Sequence, residues 1–196
     1  MPVASLLRSM ERLETRLDGP MLIKPRVFGD ERGFFSETYR RSVFADLGIE
    51  EEMVQDNHSR STGNIVRGMH LQIGDGVAKL VRCGRGQIFD VVVDLREGSP
   101  TYGQWEGHEL SDENALIFYV PVGFAHGFCA LSDVVDVIYK QSAYYDPELE
   151  RSISYRDPDI AIEWPIPVED LIPSPRDAQA PTLRELESEL PFRYRA

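Results

Sequence analysis

From about Met53 to Gln141 the chain runs in short apolar or alternating stretches, cut by glycine and proline, with almost no helical period. That property alone removes helical bundles and helix-alternating α/β folds from consideration. Residues 79–83 and 87–94 read as strands flanking Gly84-Arg85-Gly86, a loop suited to a hairpin. Further strands are expected over 101–106, 115–120, 127–131 and 134–141. Upstream, 21–28 reads as a strand compromised by Pro25 and hence near an edge, 29–33 as a turn, and 34–39 as another strand. Many short strands joined by Gly/Pro turns indicate a β-sandwich or a jelly-roll barrel.

Helical signals are confined to the margins. Residues 42–47 suit a short helix with Ser42 as N-cap and Gly48 as its stop. Thr182, with Glu185 three residues on, caps an expected helix reaching Leu190. Val3, Leu6, Leu7, Met10, Leu13 and Leu17 recur at helical spacing, whereas Leu13, Thr15 and Leu17 also alternate as an edge strand would. The two patterns divide the start of the chain into a helical extension through about Met10 and an extended segment after it. Beyond Asp146-Pro147 the chain is rich in Pro and Asp and is expected to wrap the barrel. A length of 196 residues suits one sizeable domain, and an apolar fraction of 42% excludes disorder throughout.

The charge balance, 21 − 33 = −12 with a pI near 4.8, makes a poor partner for nucleic acid or anionic membrane. An anionic ligand would need basic residues gathered locally, so individual arginines matter. Cys83 and Cys129 form no metal spacing or disulfide framework and read as buried, reduced thiols. No apolar run approaches the ~20 residues a spanning helix needs. The start of the chain lacks a basic-then-apolar leader, so a soluble cytoplasmic protein is expected.

Chemistry concentrates in Gln55-Asp56-Asn57-His58-Ser59 and Arg67-Gly68-Met69-His70-Leu71-Gln72. A turn through Arg60–Asn64 would lay the two segments side by side, letting amides, a guanidinium and an imidazole converge on one ligand. This makes His70 a candidate base, with Gln55, Asn57 and Arg67 holding its substrate. His126 lies in Pro121-Val122-Gly123-Phe124-Ala125-His126, which is similar to the Pro-x-Gly-x-x-His pattern of small cupins. Metal-binding cupins carry a His-x-His pair with a following Glu. Here His70-Leu71-Gln72 stands in that place, so no metal and no cofactor is expected. His108 reads as structural, and periodicity alone makes Tyr139 a half-buried core tyrosine.

Seven stretches in order resemble the dTDP-4-dehydrorhamnose 3,5-epimerase family. They are 25–35, 54–59, 67–70, 79–83, 99–101, 123–128 and Tyr139-Lys140. The resemblance spans about 10–182 of a single domain covering 1–196, with 1–9 an N-terminal extension and 183–196 a tail. It implies a mainly β fold, a cupin-type jelly-roll β-barrel with short peripheral helices. It also implies epimerisation at C3 and C5 of dTDP-4-dehydro-6-deoxyglucose, the C4 ketone acidifying both protons.

By that resemblance His70 is the base, Asp177 its carboxylate partner, Tyr139 the acid on the opposite face and Lys79 the cation at the ketone oxygen. Substrate binding is implied for Arg32, Phe35, Glu37, Gln55, Asp56, Asn57, Arg67, His126, Tyr145, Glu150 and Arg176, with Asp90 supporting the pocket from within. Tyr145 would stack on thymine. A homodimer with an exchanged N-terminal strand is implied too, with Phe35 and Glu37 reaching the partner's site. Ala78, Arg176 and Leu71 stand where relatives often have Gly, Lys and an aromatic residue. The alternatives are an epimerase of one carbon only and a non-catalytic nucleotide-sugar binder.

Overall fold

A computed structural model describes residues 10–195. Its strands are β1 (Met10–Leu13), β2 (Met21–Pro25), β3 (Val27–Asp30), β4 (Gly33–Ser36), β5 (Gln55–Thr62), β6 (Val66–Gln72) and β7 (Lys79–Arg85). They continue as β8 (Gln87–Asp94), β9 (Trp105–Ser111), β10 (Ile117–Val120), β11 (Phe124–Ala130), β12 (Val134–Gln141) and β13 (Glu150–Ser152). Two short helices, α1 (Arg41–Asp46) and α2 (Leu183–Leu186), lie at the margins.

The strands form a six-stranded sheet, β1-β2-β10-β7-β12-β5, and a five-stranded sheet, β13-β6-β11-β8-β9, with β3 and β4 pairing separately. Every pairing is antiparallel. Each sheet ends in edge strands, β1 and β5 in one, β13 and β9 in the other, so neither closes on itself. The mainly β fold with short helices holds, but the jelly-roll barrel gives way to two open sheets face to face.

The physical reason lies in the side chains. Val81 and Cys83 of β7, Phe118 and Val120 of β10, and Val135 and Val137 of β12 meet Ile88 and Val92 of β8, Leu110 of β9, and Phe124, Phe128 and Ala130 of β11. The interior is sealed by this interdigitation, as in a sandwich. Apolar residues occur on both faces of β8 because both faces are buried. Val91 and Val93 point away from that interior, into a second cluster with Met69, Leu71, Ala125 and the tail residues Ile153, Tyr155, Trp164, Leu183, Leu186 and Phe192. A third cluster packs Phe44 of α1 and Ile49 on Ile23, Leu80, Ile117 and Tyr119, on the outer face of the larger sheet.

Several local expectations change. β7 and β8 are no hairpin, since Gly84–Gly86 carries the chain from one sheet to the other, with Gly86 at φ +74°. The strand expected at 101–106 starts at Trp105, because Tyr102 and Gln104 N–H groups donate to Ser99 and Thr101 carbonyls in a turn. β2 lies between β1 and β10, not at an edge, and tolerates Pro25 as its last residue. The strand expected over 34–39 stops at Ser36. Arg40, not Ser42, occupies the N-cap of α1, with no side-chain cap. Thr182 and Glu185 do form a reciprocal capping box, after which a 3-10 turn, Glu187–Glu189, completes the segment. The extended reading after Met10 agrees with β1, while the helical reading of 1–9 lies outside the described residues.

Phe118 is fully buried at the centre of the inter-sheet cluster. Phe118→Ala is expected to lower unfolding stability by about 3–5 kcal/mol in urea denaturation, from lost transfer energy and the cavity left behind.

Candidate active site

Strand alternation turns one end of the inter-sheet space polar. In register, Tyr139 lies opposite Asn57, Gln141 opposite both Gln55 and Lys79, His70 opposite His126, and Gln72 opposite Glu150. Directly opposed residues share a sheet face. One set of side chains therefore converges from β5, β6, β7, β11, β12 and β13. The segments carrying Gln55 and His70 meet here, but not as the side-by-side pair expected. β5 and β6 belong to different sheets and face each other across the gap.

His70 is half-buried, and its Nε2 lies 2.7 Å from Asp177 Oδ1. Asp177 belongs to a 3-10 turn, Asp177–Gln179, and is buried. Burial pushes its carboxyl upward, but the bond and charge of His70 and the Gly68 N–H outweigh that and hold it below its ordinary value. Arg176 Nη2 lies 2.9 Å from the same His70 nitrogen. Gly68 lets β6 approach β11 closely beside His70. At φ +129° a Cβ there would run into the Gly127 and His126 backbone. β11 shifts register between His126 and Phe128 at the point of contact.

Tyr139 is half-buried. Burial, then the Glu150 charge, raises its pKa above the usual phenol value, with Arg67 opposing. Burial also brings Lys79 down to about 8, against the raising charges of Glu150 and Asp90. His126 Nε2 lies 3.0 Å from both carboxylate oxygens of the fully buried Asp90. Burial drives the His126 pKa down despite that partner.

Arg67 bonds Ser61 Oγ at 2.9 Å and the Arg60 carbonyl at 3.3 Å, and within the described residues it has no ion pair. Gln55 Nε2 donates to Asn57 Oδ1 at 2.9 Å, and Asn57 Nδ2 to Gln141 at 3.5 Å. The Tyr145 hydroxyl donates to Glu150 Oε2 at 2.9 Å, and Arg176 forms an ion pair with the same carboxylate. Burial raises the Glu150 pKa, but Arg176 and Tyr145 outweigh it and bring it below its ordinary value.

Four expected residues stand apart. Asp56 points to the opposite face of β5 and pairs with Lys140 at 2.8 Å. Arg32 pairs with Asp30 and Glu37 with Arg40, in and beside the β3–β4 hairpin, where Phe35 is 69% exposed. His108 is structural as expected, 2.9 Å from Glu106 and edge-on to Phe118. Cys83 and Cys129 are buried free thiols, raised by burial to about 11 and about 12. Gln72 and Gln141 were missed, although each lies two residues beyond a chosen one on the same strand face. Gln72 accepts from the Asp146 N–H and donates to the Tyr144 carbonyl, fixing the turn that presents Tyr145.

Hollows of about 630 and 440 Å³ border Tyr145. Another, of about 940 Å³, runs along β1 and β2 and contains none of the candidate residues. Among the described residues no three His, Cys, Asp or Glu side chains gather so as to hold a metal ion. No described helix is long and apolar enough to cross a membrane.

An imidazole–carboxylate pair, a phenol and an ammonium that has no ion pair among the described residues, around one polar recess, are the parts of an enzyme that moves protons on carbon. The family model for dTDP-4-dehydrorhamnose 3,5-epimerase matches residues 14–185. The dTDP-4-dehydrorhamnose 3,5-epimerase of Methanothermobacter thermautotrophicus is 50% identical over 174 residues, covering 88% of this chain and 94% of its own. That of Escherichia coli K12 is 46% identical over 179 residues, covering 90% and 96%. A crystal structure of dTDP-6-deoxy-D-glucose-3,5-epimerase from Legionella pneumophila, in complex with dTDP-4-keto-L-rhamnose, superposes with TM-score 0.92 at 47% identity. It covers 95% of this chain and 100% of its own. The chain belongs to the dTDP-4-dehydrorhamnose 3,5-epimerase family.

Gly68→Ala is expected to cost about 1–3 kcal/mol through backbone strain and to lower catalytic activity by displacing His70. Gly63→Ala, whose added Cβ meets ordinary contacts near 3.6 Å, should stay within about 0.5 kcal/mol of the parent. Thermal unfolding and initial rates of the two variants check this.

Proposed function

We propose that this chain is an isomerase that epimerises C3 and C5 of dTDP-4-dehydro-6-deoxyglucose to dTDP-4-dehydrorhamnose, in dTDP-rhamnose biosynthesis. The observation that carries the reading is the His70–Asp177 contact, 2.7 Å long and bridging residues far apart in sequence, beside Lys79 and Tyr139 in one recess. His70 takes the proton next to the ketone with the ring nitrogen that Asp177 does not engage. Asp177 fixes the tautomer and stabilises the imidazolium. Lys79 meets the charge that develops on the C4 oxygen. Tyr139 returns a proton from the other face, and its raised pKa keeps it an acid beyond the range in which Lys79 titrates. Arg67, a guanidinium without an ion pair in an acidic chain, suits the diphosphate. Gln55, Asn57, His126, Tyr145, Glu150 and Arg176 hold base and sugar, Arg176 and Glu150 exchanging their mutual contact for substrate.

Incubation in deuterated water should introduce label at both C3 and C5 of the product. Label at one carbon alone would make the chain a single-carbon epimerase. His70→Ala should slow exchange at both positions by about 10²–10⁴-fold; undiminished exchange would remove His70 from the base role.

The working unit is a homodimer in which N-terminal strands cross between copies. Supporting this, β1 is an edge strand, and Val27, Phe28, Phe34 and Phe35 of the projecting hairpin are 46%, 51%, 69% and 69% exposed. Arg32, Phe35 and Glu37 then belong to the partner's recess. Light scattering after size exclusion should return twice the chain mass; a monomeric mass at assay concentration would overturn the assignment.

A further inference from the structure

Asp90 interrupts an apolar strand. It follows the alternation of Ile88 and Val92 into the inter-sheet interior, where it has no exposed surface. A carboxylate is kept in such a place only when hydrogen-bonded and electrically compensated. His126 supplies the hydrogen bonds, with Nε2 3.0 Å from each oxygen. It does not supply the charge, because burial favours its neutral form. A neutral imidazole facing a carboxylate must donate from the nitrogen it presents, so the His126 proton sits on Nε2.

The missing charge stands on the opposite sheet. Alternation puts Lys79 on the inward face of β7 with Val81 and Cys83, across the inter-sheet space from Asp90 of β8 and His126 of β11, with Glu150 of β13 on the same side as these two. Among the described residues its ammonium makes no hydrogen bond or ion pair. Glu150 is already committed to Arg176 and Tyr145. We propose that Asp90 is a positioning residue for the epimerisation: it is the standing counter-charge of Lys79, held back by His126 so that the ammonium remains charged yet free to meet the substrate oxygen. A carboxylate in direct contact would occupy the donors that the substrate needs. Burial is already the largest influence on Lys79 and leaves it at about 8 against the raising charges of Glu150 and then Asp90, so losing Asp90 would favour the neutral amine further. The hydrogen bonds to His126 set the distance between these extremes.

The inference rests on Lys79 acting at the ketone oxygen, but its test does not. The full chain labelled with ¹⁵N-lysine, with the Lys79 resonance assigned through Lys79→Arg, gives the Lys79 titration directly. In Asp90→Asn the midpoint should fall by about one pH unit or more, since a nearby opposite charge has been removed. In His126→Leu, which has no donor, the released carboxylate can turn towards Lys79, and the midpoint should rise. Midpoints unchanged in both variants would overturn the proposal. If Asp90→Asn does not fold, His126→Leu decides alone, and a fall or no change overturns it. The alkaline limb of kcat/KM should follow the same midpoints. A limb that stays put while the resonance moves would leave Asp90 coupled to Lys79 and remove Lys79 from the reaction.

Discussion

Everything in this molecule depends on two sheets sealing a common apolar interior at one end while leaving ionisable groups at the other. Phe118, Phe128, Val92, Val135 and Val137 exclude water from the sealed part. His70, Lys79, Tyr139 and His126 stand where that packing gives way. Charges placed at the end of a dry, close-packed space interact more strongly than they would in solvent, and rigid strands hold them in fixed register. Chemistry and stability therefore draw on the same side-chain alternation. The pattern that points Val81 and Val137 inward also points Lys79 and Tyr139 inward, two residues along each strand.

How far the fold could be read from the residues follows from the same rule. Period-2 alternation identified the strands 87–94 and 134–141 at their full lengths, because both carry β-branched runs bounded by turn residues. It could not assign strands to sheets. The short loops after β5 and β7 look like hairpin turns, yet each carries the chain across the gap, a choice made by partners distant in sequence such as β12 and β11. Closure into a barrel was misjudged for that reason, since strand count and turn spacing are alike for open and closed arrangements. In the recess, His70 and Arg67 stood out by residue type and neighbouring glycines. Tyr139, Lys79 and Asp177 needed the family resemblance, because a strand tyrosine, a strand lysine and a tail aspartate have no local signature. Asp56 was grouped with Gln55 and Asn57 by adjacency, and alternation sends it to the other face.

The recess gathers cations and carboxylates together: Lys79, Arg67 and Arg176 stand with Asp90, Asp177 and Glu150. In the recess Arg176 pairs with Glu150, and on the other face of β5 and β12 Arg60 pairs with Asp136 and Lys140 with Asp56. Among the described residues Arg67 and Lys79 have no ion pair, which leaves these two cations available to an anionic ligand. Unpaired cations confined to the recess of a chain with net charge −12 restrict anion affinity to that place and disfavour unspecific contact with polyanions elsewhere.

Asp177 reaches His70 from a segment that contributes no strand to either sheet. That segment is fastened by a buried carboxylate, Asp157, which accepts from the Leu183 and Asp159 N–H groups, and by the Pro181 carbonyl, which accepts from Ser154. The same tail packs Ile153, Tyr155, Trp164, Leu183, Leu186 and Phe192 on Leu71, Val91 and Val93 of the smaller sheet. The residue that reaches His70 is therefore anchored by apolar packing that covers one face of that sheet, and the His70–Asp177 contact cannot be withdrawn without uncovering part of the core.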